Sequence, residues 1–250
     1  MYPQQQINRF STPNELSAAV SERIVRLAKE AEADKGCFYI AISGGSLLDI
    51  ICPPLVSNPL REAVNWSAWH VFWADERWVP LDSPESNFGG ARQKLFSAVS
   101  IPQTQIHTVD NTFSPSETAR RYQATLEEVL HPMPGKLPRF DLILLGIGED
   151  GHTASLFPGH PLLKETRRLI AHVNDAPKPP PVRITMTLPV INNAGNVFFV
   201  AMGAGKVPII TRIIGSDQRN EKLPAELVQP CDGELSWFFS DKGFSKSLTR

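Results

Sequence analysis

The chain has 250 residues, 42% of them hydrophobic and 20% charged; this suits one unit, residues 1–250, with a large core, and excludes a disordered or fibrous chain. Lys plus Arg number 25 against 26 Asp plus Glu, a net charge of −1, so the basic surplus expected of a nucleic-acid partner is missing. A small anionic ligand needs only a few local cations and stays open.

The elements follow in chain order. Thr12, Pro13 and Glu15 form the capping signature of a helix over residues 12–35, with Leu16, Val20, Ile24, Leu27 and Ala31 at helical spacing. "CFYIAI" (37–42) reads as a short strand, "SGGS" (43–46) breaks it, and "LLDIICPPL" begins a helix that its prolines end. "WHVFWADER" (69–77) reads as one strand ending in charge, and a loop to Gly90 leads to a helix near 91–99. "TQIHTV" (104–109) is a short strand, and Ser114, Pro115 and Glu117 announce the next helix. "FDLILLGIG" (140–148) has the continuous apolar run of a strand buried on both faces of a parallel sheet. "RLIAHV", "VRITMTL", "NVFFVAM" and "ELSWFF" read as later strands, and "GAGKVPIITRII" (203–214) turns into a helix after its glycines. Strands alternating with helices predict a three-layer α/β fold.

Nothing in the chain marks export or a membrane. "MYPQQQINRF" carries no hydrophobic signal core, and no apolar run approaches about 18 residues. Cys37, Cys52 and Cys231 lack CxxC spacing, against both a disulfide framework and a thiolate metal site; the first two read as core. A soluble, cytoplasmic protein without a membrane partner is expected.

Ligands in such folds gather at the carboxyl ends of strands, and four predicted strand ends are chemically unusual: 43–46, 75–77, 148–152 and 203–206. In the first, Gly44 and Gly45 let backbone N–H groups approach an anion, Ser43 and Ser46 add hydroxyls, and the helix start favours negative charge. It is neither a Walker loop nor GxGxxG, and an ordinary strand–helix turn has the same composition. In the second, Arg77 can grip a phosphate with paired donors while Asp75 and Glu76 orient it or position a ligand hydroxyl; the plain alternative is a structural ion pair.

The third, "GEDGH" (148–152), is the sharpest. His152 titrates near neutrality and can take a proton from water, with Asp150 or Glu149 to orient it; the alternative is a capping cluster around a satisfied histidine. "TASLFP" suggests a short helix directly after it. In the fourth, Lys206 follows a glycine turn, and Arg183 lies in a strand-like segment; alone, each reads as a solvated cation, but with Arg77 they can compensate a phosphate. His160 is near His152 in sequence and can simply end a loop. Zinc is disfavoured because no HExxH or Cys/His spacing appears, and a serine nucleophile because no GxSxG elbow does.

The stretches "ISGGSL", "FWADERWVPLDSPESNFGG", "LILLGIGEDGHTASLFPGHPLL", "PKPPPVRITMTLPVINNA" and "MGAGK" together resemble the 6-phosphogluconolactonase family over roughly residues 38–206. The resemblance implies a mostly parallel, Rossmann-like α/β/α sheet, similar to glucosamine-6-phosphate deaminases and ribose-5-phosphate isomerases. It implies hydrolysis of 6-phospho-D-glucono-1,5-lactone to 6-phospho-D-gluconate in the oxidative pentose phosphate pathway, with no required cofactor or metal. Monomer and homodimer both stay open. Residue by residue, it implies that His152 activates water, beside the acid Asp150. It implies that Ser43, Gly44, Gly45 and Ser46 form the phosphate loop, that Arg77 belongs to the acid–Arg motif, and that Asp75, Arg183 and Lys206 contact substrate. Leu47 departs from the family pattern, where Thr is frequent, without removing a chemical group. Two other functions share these groups: a sugar-phosphate isomerase or deaminase, and a noncatalytic sugar-phosphate sensor.

Overall fold

The computed structural model describes residues 5–215 and 221–243; the expected unit of residues 1–250 extends beyond them. The chain opens with β1 (Gln5–Phe10), a strand the sequence reading did not anticipate, and α1 (Pro13–Lys35). The Thr12 hydroxyl accepts from the Glu15 N–H at 3.2 Å, and the Glu15 carboxylate accepts from the Thr12 N–H at 3.2 Å, closing the expected capping box. β2 (Phe38–Ile42), α2 (Ser46–Leu55), the single turn α3 (Leu60–Ala63), β3 (Trp69–Trp73) and β4 (Asp75–Arg77) follow. Next come α4 (Asn87–Ala91), α5 (Pro115–Leu130), β5 (Leu142–Leu145), β6 (Ile170–Val173), β7 (Arg183–Met186) and α6 (Leu188–Ile191). β8 (Asn196–Met202), α7 (Val207–Ile214) and β9 (Glu234–Ser240) complete the set.

Six strands form one parallel sheet in the order β1-β9-β8-β5-β2-β3, with helices on both sides. The inner strands are largely buried, and β5 along its whole length; Leu142, Ile143, Leu144 and Leu145 are all at 0% exposure. That is why "LILL" shows no alternation: both faces are covered. The chain leaves β2 outward to β3, then returns to place β5 on the other side of β2. This reversal leaves a crevice between the carboxyl ends of β2 and β5, the place where open α/β sheets bind ligands.

Three expectations need correction. Residues 69–77 are not one strand: β3 belongs to the parallel sheet, while β4 pairs antiparallel with β7 in a second sheet of order β4-β7-β6. Ala74 is the joint. Its N–H donates to the Ile42 carbonyl at 3.1 Å and its carbonyl accepts from the Met186 N–H at 2.8 Å, so one residue serves both sheets. Residues 104–109 form a turn with a single parallel bridge, Val71 to Ile106, rather than a strand. The helix expected near 91–99 starts earlier, at Asn87, because Ser86 caps it by accepting from the Gly89 N–H at 3.1 Å; it continues over Arg92–Phe96 as a wider turn.

Smaller differences are local. α2 runs to Leu55, through both prolines of its last turn. Cys52 is buried as expected, whereas Cys37 is half-exposed.

Candidate active site

β2 and β5 deliver their loops side by side, and the Ser43 N–H donates to the Leu144 carbonyl at 3.0 Å to hold them together. After Ser43 the chain turns through Gly45 at φ 68°, a left-handed value that a side chain would strain, and enters α2. No side chain caps α2; the Leu48 N–H donates to the Gly45 carbonyl at 3.1 Å, and Ser46 and Leu47 at the helix start line the crevice. Gly44 packs against Asn87; a Cβ there would sit 1.8 Å from the Asn87 carboxamide oxygen.

The β5 loop is tied in four places. The Gly148 N–H donates to the His152 carbonyl at 2.8 Å, the Gly151 N–H to the Gly148 carbonyl at 3.0 Å, the Thr153 hydroxyl to the Gly146 carbonyl at 2.9 Å, and the Ala225 N–H to the Gly151 carbonyl at 3.2 Å. No helix follows His152; Thr153 and Leu156 bridge across a tight turn with Ala154 at φ 47°. Within this loop Asp150 Oδ1 lies 2.5 Å from His152 Nδ1 and accepts from the His152 N–H at 3.3 Å. Phe157 backs the imidazole at 4.9 Å between ring centres. Burial pushes the His152 pKa below its ordinary value, against an opposing pull from Asp150. The neutral ring is therefore favoured, and in the tautomer whose Nδ1–H donates to Asp150, Nε2 is the free acceptor. Burial works to raise the Asp150 carboxyl, but its bonds to His152 prevail and hold it below its ordinary value.

Asp75 and Glu76 part company. Asp75 faces the crevice; its Oδ2 accepts from the buried Ser155 hydroxyl at 2.8 Å, and its carbonyl from the Asn87 carboxamide at 2.7 Å. Glu76 points away and is fully buried. Its carboxylate accepts from the N–H groups of Arg77, Asn87 and Phe88 at 2.7, 2.7 and 2.8 Å, and from the Ser86 hydroxyl at 3.1 Å. It therefore serves α4 rather than a ligand. Arg77 lines the crevice, anchored by one Nη1 bond to the Glu85 carbonyl at 2.9 Å.

The other cations also differ. Lys206, in the turn before α7, is half-buried, and burial lowers its pKa while Glu149 opposes the shift. Arg183 is only 4% exposed, contrary to the reading of a solvated cation, and its Nε and Nη2 already donate to three backbone carbonyls. His160 does end a loop: its Nδ1 accepts from the Leu162 N–H at 3.2 Å.

Ser43, Gly44, Gly45, Ser46, Asp75, Arg77, His152, Arg183 and Lys206 thus share one cavity of about 150 Å³; Asp150 stands behind His152. Ser43 Oγ and Arg77 Nε are buried in this wall without a hydrogen-bond partner. Buried donors are rarely left so, since the omission costs about 1–3 kcal/mol each. Among the described residues no group of three or more His, Cys, Asp or Glu could hold a metal ion. Ser155, Asn87 and Phe157 escaped the sequence reading because such residues carry no local signal of the partners they find across the chain.

The family described as glucosamine-6-phosphate isomerases/6-phosphogluconolactonase matches residues 11–237. The chain belongs to that family. It is 40% identical to the 6-phosphogluconolactonase of Rattus norvegicus, covering 94% of this chain and 91% of that one. It is 39% identical to a probable chloroplastic 6-phosphogluconolactonase of Oryza sativa, covering 92% of this chain and 72% of the other. Among solved structures, the 6-phosphogluconolactonase of Trypanosoma brucei superimposes with a TM-score of 0.82 at 29% identity, covering 96% and 97% of the two chains.

Proposed function

We propose that the protein is a carboxylic ester hydrolase that opens 6-phospho-D-glucono-1,5-lactone to 6-phospho-D-gluconate, the hydrolytic step of the oxidative pentose phosphate pathway. What supports the reading most directly is the Asp150–His152 pair, whose neutral imidazole borders a cavity lined by the Ser43–Ser46 turn, Arg77 and Lys206. The similarity to named lactonases over nearly the whole chain points the same way.

In this mechanism His152 Nε2 takes a proton from water while Nδ1–H stays on Asp150. The water oxygen bonds to the lactone carbonyl carbon, and Arg77 or backbone N–H groups stabilise the oxyanion. As the bond from that carbon to the ring oxygen breaks, protonated His152 returns the proton to the ring oxygen. The phosphate, far from the reacting carbon, orients the substrate on the Ser43–Ser46 turn and Lys206. Asp75 accepts from a substrate hydroxyl. Neither a metal nor a cofactor takes part.

The test is lactone consumption by purified protein, followed by a rapid coupled readout and compared with spontaneous hydrolysis. Acceleration abolished by His152→Gln is expected; no acceleration by folded protein overturns the assignment. Turnover of ribose 5-phosphate or glucosamine 6-phosphate in its place would select an isomerase or deaminase, and binding without turnover a sensor. No helix among the described residues is long and apolar enough to cross a membrane. The reading extends to a cytoplasmic monomer or homodimer without a nucleic-acid partner, which cell fractionation and light scattering test.

A further inference from the structure

We propose that Ser155 is a positioning residue of this site: set between Asp75 and Thr185, it aims the Asp75 carboxylate at a hydroxyl of the bound sugar, so that the site holds a hydroxylated ligand better than phosphate alone. The proposal rests on the lactonase reading and deepens it by naming what holds the hydroxyl acceptor in place.

Asp75 and Thr185 stand opposite each other in the antiparallel pair of β4 and β7, and partners of this kind carry their side chains on the same face, about 5 Å apart. Ser155, from the loop that carries His152, bonds to both. Its N–H donates to Thr185 Oγ1 at 3.2 Å, and its hydroxyl donates to Asp75 Oδ2 at 2.8 Å. Thr185 is fixed in turn, because its own hydroxyl donates to the Met186 carbonyl at 3.0 Å. Ser155 and Thr185 are 0% and 1% exposed, so these bonds lie out of reach of solvent and the loss of one leaves its partner bare. The backbone bends to make this reach. Ser155 sits inside the turn that the Leu156 N–H closes on the Thr153 carbonyl at 2.9 Å, and Ala154 before it holds φ 47°, a left-handed value uncommon for a residue with a side chain.

One oxygen of the Asp75 carboxylate is thereby occupied and the other is free. Oδ1 has no hydrogen bond among the described residues, yet it is not one of the side-chain atoms sealed from solvent without a partner. Asp75 lines the cavity and is 5% exposed, so that small exposure opens onto a ligand. From the other side the Asn87 carboxamide holds the Asp75 carbonyl at 2.7 Å. An ionised carboxylate only accepts hydrogen bonds and repels a phosphate oxygen, so the group that Oδ1 selects is a hydroxyl. His152 precedes Ser155 by three residues in the same tied loop. The Ser155 bond therefore fixes the hydroxyl acceptor and the proposed base relative to one another.

Ser155→Ala removes the hydroxyl and keeps the N–H that bonds to Thr185. It should raise KM for the lactone about tenfold with kcat changed little, the behaviour of a lost binding contact to a charged group. Calorimetry with 6-phosphogluconate as probe should show the same loss of affinity without needing turnover. Inorganic phosphate has no sugar hydroxyl to offer Asp75 and should inhibit Ser155→Ala and the wild type equally; a merely structural serine would weaken both ligands together. Thr185→Val removes the acceptor of the Ser155 N–H and should raise KM about threefold. In an Asp75→Asn background Ser155→Ala should add little, because the bond has already lost its carboxylate. Unchanged KM and probe affinity in Ser155→Ala, or an equal loss of phosphate inhibition, overturn the proposal; should that variant fail to fold, an unchanged KM in Thr185→Val overturns it. A protein whose affinity for 6-phosphogluconate depends on Ser155 but which accelerates no hydrolysis overturns the lactonase reading and upholds the positioning role.

Discussion

Gly148 and His152 lie so close that a Cβ on the glycine would stand 2.0 Å from Nδ1 of the imidazole, and 2.3 Å from the Asp150 carboxylate. The proposed catalytic pair fits because position 148 has no side chain. Gly148→Ala must displace the imidazole, the carboxylate or both. On the proposed mechanism kcat should fall at least about a hundredfold, since a base moved out of reach loses most of its effect. The thermal melt should move far less; an active Gly148→Ala enzyme would show that the pair is dispensable.

Asp150→Asn separates orientation from charge. Asp150 pulls the His152 pKa upward against burial. Its loss should move the acid limb of kcat/KM to lower pH and reduce kcat about tenfold or more, because the tautomer is no longer held by an anion. An unmoved limb would free Asp150 from any role in the titration.

The wild-type pH profile has a fixed sign. The base form of His152 is the active one, and burial sets its pKa below the ordinary value of 6.5. Activity should therefore decline as pH falls through a point below 6.5. A limb centred above pH 7, measured as kcat/KM against pH and corrected for spontaneous hydrolysis, would contradict the neutral-imidazole mechanism.

Glu76 makes a contrasting prediction. Glu76→Ala strips the acceptor from three backbone N–H groups and the Ser86 hydroxyl. Stability should fall by about 3 kcal/mol or more, as expected when several buried donors lose their partner. The loss should appear in denaturant or thermal unfolding, and Glu76→Gln, which keeps an acceptor, should be milder. Full stability of Glu76→Ala would refute the bracing role.

Away from the site, His70 Nδ1 and His107 Nε2 stand 3.3 Å apart, with His107 stacked on Phe72. Burial and then the neighbouring His70 push His107 down to about 4 from 6.5, and burial lowers His70. Each is depressed in the folded state, so the unfolded chain binds more protons between these values. Their contribution is present above pH 6.5 and is lost as pH falls toward about 4. His107→Gln should remove about 5 °C of the Tm drop across that window; a drop identical to wild type would assign acid sensitivity elsewhere.

Much of the fold was legible because its signals are local. Thr12 and Glu15 meet within one turn, and "NVFFVAM" is a strand over its full predicted length. The His152–Asp150 pair was legible for the same reason, since its partners are two residues apart. β1 was missed because "QQINRF" is a largely exposed edge strand without an apolar face to betray it.

By itself, the sequence determined which groups are available: a histidine with an acid beside it, glycines at strand ends, and cations spaced along the chain. Only the tertiary structure decided what each is for. Asp75 and Glu76 are adjacent, yet one faces the cavity and the other braces α4, because β4 turns successive side chains to opposite sides. Arg77 and Arg183 look equivalent in sequence, yet one lines the cavity on a single anchoring bond to Glu85 and the other spends its donors on Lys178, Pro179 and Pro180. Hydrogen-bond partners and desolvation come from residues distant in the chain, and these two quantities turn a residue type into a role.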